Sequence, residues 1–109
     1  MGMTMSSTPK FSVDKLDSRF AGHKHFKYRV KILGDYVVRY NSYIEVRNWC
    51  WETFVTSCER DVLIELADKD ESFVRKWAWH AEKYNKRFYE FYIYLATDEE
   101  YVLFKLKWC

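Results

Sequence analysis

From Arg87 to Ala96 the side chains alternate strictly: Tyr89, Phe91, Ile93 and Leu95 fall on one side of an extended chain, and Phe88, Glu90, Tyr92 and Tyr94 on the other. A run of that period buries one face only as a β-strand, so the fold must supply a sheet. The same alternation is legible in Tyr101–Trp108, where Val102, Phe104, Leu106 and Trp108 oppose Tyr101, Leu103, Lys105 and Lys107. A hairpin through Thr97-Asp98-Glu99-Glu100 would pair Leu95 with Val102 and Phe91 with Leu106, and would set Glu90 opposite Lys107. Upstream, Trp77, Trp79 and Ala81 read as a third strand. A three-residue loop Tyr84-Asn85-Lys86 is expected to pair Trp79 with Phe91 and Trp77 with Ile93. The outer face of this meander would carry the row His80, Glu90, Lys107.

The front of the chain suggests a second hairpin unit. Residues 1–10 are small, polar and Met-rich and read as a disordered leader. Residues 11–109 then form one domain. Phe11, Val13, Leu16 and Phe20 suit a short helix or an ordered arm equally. In His25–Leu33, Phe26, Tyr28, Val30 and Ile32 oppose His25, Lys27, Arg29 and Lys31, and Gly34-Asp35 is expected to turn the chain back through Tyr36, Val38 and Tyr40. Both registers that keep the faces unmixed place Arg39 opposite Arg29 or Lys31, which is unfavourable unless something anionic lies above them.

Asn41–Val55 reads two ways. Ser42-Tyr43-Ile44-Glu45 matches a capping box, whereas the β-branched and aromatic content and the alternation of Ile44, Val46 and Cys50 favour a long or bulged strand, and the strand is preferred. Glu59–Ala67 reads as a short helix carrying Val62, Leu63 and Leu66, capped by Ser57. The expected fold is α+β: a single small domain whose antiparallel sheet of five to six strands, in two hairpin or meander units, packs on one short helix and an N-terminal arm.

Composition narrows the function. The 109 residues hold five Trp, nine Tyr and eight Phe, more rings than one small core needs. Three cysteines, an odd number without a signal-peptide pattern, fit a reducing, cytoplasmic setting. No apolar run approaches the roughly 20 residues that span a bilayer. The net charge of +2 is unevenly spread: residues 10–47 are basic, 48–74 acidic and 75–109 mildly basic.

Four candidate sites follow. The row His80, Glu90, Lys107 has the make-up of an acid–base site but is more simply a set of cross-strand charge pairs, each contributing about 0.2–1 kcal/mol. No nucleophile motif or glycine-rich loop accompanies it, so no catalytic residues and no enzyme are expected. His23 and His25 with Cys50 or Cys58 have no recognised zinc spacing, and neither a metal nor a cofactor is expected. Lys27, Arg29, Lys31 and Arg39, with Lys105 and Lys107, would form a basic stripe suited to single-stranded nucleic acid. Tyr43, Trp49, Trp51, Phe88, Tyr92 and Tyr94 exceed the needs of the core and would form an aromatic sheet face that binds a protein partner or a second copy of the chain. The compactness, aromatic density and lack of a catalytic motif resemble small phage or viral accessory proteins in general character, which implies a host protein as the partner. A non-enzymatic protein-binding module is the leading expectation, and nucleic-acid binding the alternative.

Overall fold

The computed structural model describes residues 10–20, 22–83 and 88–109. Its elements run β1 (Phe11–Lys15), β2 (Tyr28–Ile32), α1 (Tyr36–Thr53), α2 (Arg60–Lys69), β3 (Ala78–Lys83), β4 (Tyr89–Leu95) and α3 (Asp98–Trp108). The α+β class stands, but the sheet has four antiparallel strands in the order β1-β2-β4-β3 and three helices, not five to six strands and one helix. Three expected strands are helical: the return through Tyr36–Tyr40 and the Asn41–Val55 segment together form α1, and Tyr101–Trp108 lies in α3. The expected leader lies outside the described residues up to residue 9; Lys10 is already tied to the sheet, its carbonyl accepting the Leu33 N–H at 2.9 Å.

Gly34-Asp35 enters a helix rather than a hairpin. Gly34 sits at φ +116°, which only glycine adopts without strain, and turns the chain off β2. Asp35 then caps α1, its carboxylate accepting the Val38 N–H at 3.0 Å. Along α1 the buried residues are Ser42, Tyr43, Val46 and Cys50, spaced one helical turn apart and aimed at the sheet. That stripe overrides the β-propensity of the segment, and Ser42, read as a possible cap, lies two turns inside the helix.

The last element is corrected in the same way. Thr97-Asp98-Glu99-Glu100 starts α3: the Thr97 hydroxyl accepts the Glu100 N–H at 3.1 Å, and the Glu100 carboxylate reaches back to the Ala96 N–H at 2.7 Å. Acidic side chains fill its first turn and Lys105 and Lys107 its last, both favourable to the helix dipole. Tyr101, Phe104 and Trp108 face inward at helical spacing.

With α3 removed from the sheet, β2 takes the place beside β4: Val30 faces Ile93 and Tyr28 faces Leu95, while β1 covers the other side of β2 with Val13 against Val30. The β3–β4 pair keeps the expected odd-with-odd parity but is displaced by two residues, so Trp79 faces Ile93 and Ala81 faces Phe91. The turn expected at 84–86 lies outside the described residues. Helix α2 forms as expected, although Glu59 caps it rather than Ser57, and Val62 and Leu66 face solvent while Leu63 is buried.

One sheet face packs under α1 and α3 in an apolar core of Val30, Ile32, Tyr43, Val46, Cys50, Trp77, Phe91, Ile93, Leu95 and Phe104. The opposite face is divided. Near α2 it is apolar, with Phe26, Leu63, Ala78, Tyr94 and Ala96 packed together; beyond them it becomes charged and open.

Candidate binding surfaces

The charged half of the second face is built by strand parity. Arg29 and Lys31 of β2, Glu90 and Tyr92 of β4, and His80 and Glu82 of β3 all project to this side, because their neighbours Val30, Phe91 and Ala81 belong to the other. A cleft of about 340 Å³ is lined here by Phe20, Arg29, Arg60, Glu82, Glu90, Tyr92 and Tyr94. The segment ahead of α2 docks on the edge of β3, where Glu59 forms an isolated parallel bridge with Trp79, and this delivers the Glu59 side chain to His80. Buried His80 meets Glu59 through Nδ1 and Glu82 through Nε2, the latter at 2.6 Å. Its ring lies nearly parallel to that of Tyr92, its neighbour across the ladder.

Of the expected row His80, Glu90, Lys107, the first two share this face but are not directly paired. Glu82 stands opposite Glu90, and Lys107 is on α3. Glu90 instead accepts the Tyr92 hydroxyl at 2.5 Å and pairs with Lys31 at 3.2 Å. The Tyr92 hydroxyl, followed by Lys31, holds the Glu90 carboxyl below its ordinary range, while burial, followed by the Glu90 carboxylate, pushes the Tyr92 phenol up.

The expected basic stripe is not one surface. Lys27 pairs with Asp98 at 3.0 Å, Arg29 with Asp14 at 2.7 Å, and Lys31 with Glu90. Arg39 belongs to α1, so the like-charge opposition to β2 does not arise, and Lys105 and Lys107 lie over Tyr101 and Trp108 on α3. Three of the six cations thus already have anionic partners, which weakens the case for a phosphate track.

Nor do the six expected rings share a face. Tyr43 is buried and stacks on Phe91 at 4.7 Å; Tyr92 and Tyr94 are buried on the opposite side of the sheet. Half-buried Trp49 sits edge-on to Phe54, Phe104 and Trp108, and Trp51 is exposed but leans on Trp79. Phe88 is exposed just ahead of β4. Much of the aromatic surplus forms a second layer of ring contacts between helices and sheet, while Tyr36, Tyr40, Trp51 and Phe88 keep exposed surface. His23 bonds the Phe20 carbonyl and His25 bonds Asp68, each at 3.1 Å, whereas Cys50 is buried in α1 and Cys58 precedes α2. Burial pushes both thiols up, away from reactive thiolates.

A surface that the strand reading hid belongs to α3. Its inward stripe is Tyr101, Phe104 and Trp108; on the other side Glu99, Val102, Leu103 and Leu106 recur at i, i+3, i+4 and i+7, and Leu106 is 79% exposed. A helix that is apolar on both sides is one expected to be covered on both sides. Leu103 also lines a groove of about 630 Å³ with Phe54, Val55, Phe73 and Val74, and Val74 is 80% exposed. No helix among the described residues is long and apolar enough to cross a membrane. Comparison with protein-family models, curated proteins and solved structures found no match to this chain.

Proposed function

We propose that this protein is a non-enzymatic interaction module that works as a self-associating pair, two copies meeting through the outer face of α3. The observation that carries this reading is the second apolar stripe, Val102, Leu103 and Leu106, left uncovered on a helix whose other side is already committed to the core. Charge selects the occupant. Glu99 marks the N-terminal end of α3, Asp98 being held by Lys27 and Tyr28, and Lys105 and Lys107 mark its C-terminal end. An antiparallel pairing with a second α3 brings each acidic end against a basic one and opposes the two helix dipoles, as an isologous two-fold interface requires. The groove beside Leu103 repeats the pattern, with Arg75 and Lys76 on one wall and Glu99 on the other.

Sedimentation velocity of the full chain under reducing conditions, over a range of concentrations, tests the reading. A concentration-dependent dimer is expected, reduced to monomer by Leu106→Glu with an unchanged far-ultraviolet spectrum. A monomer throughout, or a dimer indifferent to that substitution, contradicts it.

A further inference from the structure

On the charged half of the second sheet face, three carboxylates have a cation each: Asp14 has Arg29, Glu90 has Lys31 and Asp61 has Arg60. Among the described residues, Glu59 and Glu82 share the single imidazole of His80. One imidazole carries at most one positive charge, whichever ring nitrogens are protonated, and here it faces two carboxylates. Glu82 also stands directly opposite Glu90 across the β3–β4 ladder, a like-charge pair that is unfavourable without added positive charge. The deficit of positive charge falls where Glu59, Asp61 and His80 offer one ligand atom each, all within 4.8 Å of one another.

We propose that Glu59, Asp61 and His80 bind a divalent first-row transition cation, zinc being the simplest case, through one carboxylate oxygen of each acid and Nδ1 of the imidazole. The assignment of oxygens follows from the bonds already made. Glu59 uses Oε1 to cap α2 at the Asp61 N–H, at 2.6 Å, and presents Oε2 to His80. Asp61 commits Oδ1 to Arg60 Nε at 3.0 Å, so Oδ2 is the atom for the ion. Metal bonds of about 2.0–2.2 Å separate two donors by at most about 4.4 Å, so side-chain rotation closes the set.

Glu82 completes the arrangement from outside. A metal-bound imidazole usually donates its other N–H to a carboxylate, which fixes the ring, and Glu82 lies 2.6 Å from Nε2. One nitrogen with two carboxylate oxygens suits a borderline transition ion better than magnesium or calcium, which prefer all-oxygen shells. Because Glu59 and Asp61 begin α2 and His80 sits on β3, the ion ties helix to sheet.

Titration calorimetry of the full, reduced chain with Zn²⁺ tests the site, with Co²⁺ absorption as a second readout. One ion per chain is expected. Binding should be lost in His80→Ala and weakened roughly 10–100-fold in Glu82→Gln, the loss typical of a substituted outer-shell partner, and the cobalt spectrum should lack a thiolate band. If His80→Ala does not fold, exposed Asp61→Asn replaces it and must weaken binding. Absence of binding, affinity indifferent to these substitutions, or a thiolate-to-cobalt band overturns the assignment.

Discussion

The two faces of the sheet are made from alternate residues of the same strands, yet they do different work. Under α1 and α3, Val30, Ile93, Leu95, Trp77 and Phe104 are fully buried, and rings from four elements meet edge-on or stacked. Under α2 only the half around Phe26, Leu63 and Tyr94 is closed, and the remainder is held by ion pairs and hydroxyl bonds around His80, Glu90 and Arg29. Apolar burial is worth roughly 25 cal/mol per Å², whereas exposed ion pairs contribute about 1 kcal/mol or less. Stability should therefore reside on the first face, and the second is free to carry polar groups for binding.

Phe104→Ala attacks the first face at its centre and should cost about 3–5 kcal/mol in urea unfolding, the range for a buried aromatic ring replaced by alanine. A loss under 1 kcal/mol would erase the difference between the faces. On the second face, Tyr92→Phe removes the hydroxyl that holds Glu90 and should cost about 1–2 kcal/mol. The pH dependence gives its signature. The folded-state pKa of Glu90 is depressed, so its contribution is present above the unfolded value and lost as pH falls through the folded one. In the variant the Glu90 carboxyl should titrate closer to its ordinary range by NMR.

Smaller effects separate α3 from the rest of the first face. Thr97→Ala removes the cap and should cost about 1 kcal/mol by thermal or urea unfolding. Glu100 has the opposite sign to Glu90: burial raises its folded-state pKa against backbone N–H bonds that lower it. Its contribution is thus present below the unfolded pKa and lost as pH rises through the folded one. Glu100→Gln abolishes this titration, so the stability of the variant relative to the parent should be better at neutral than at acid pH. The reverse ordering would refute the burial cause.

Much of the first face was legible in the sequence and much of the second was not, for a physical reason. The alternation of Tyr89–Leu95 is local, and it correctly placed β4 and the parity of β3; the two-residue displacement between them depends on a loop that alternation does not measure. For α3, period-2 and helical patterns coincide because Val102, Leu103 and Leu106 are apolar on the side away from Phe104. The capping box at Thr97 and the charge gradient along the helix were the signals that favoured a helix. In α1, Asp35 after Gly34 and the spacing of Tyr43, Val46 and Cys50 carried the same message against the β-branched composition. Of the rings expected outside, Tyr43 is inside because it lies on α1, a helix the strand reading did not supply, and Tyr92 and Tyr94 are inside because the other sheet face is closed by Phe26 and by Leu63 of α2. The cluster at His80 draws Glu59 and Asp61 from the start of α2, about twenty residues upstream, and no local pattern announces a meeting made by tertiary docking.

The claim that the outer face of α3 is covered by a second copy is tested most directly by amide hydrogen exchange of the full chain at low and high protein concentration. Added protection on concentrating the sample should be confined to α3 and the groove wall at 73–76. Protection gained instead along β1 or β3, the sheet's two edge strands, or gained nowhere, would contradict it.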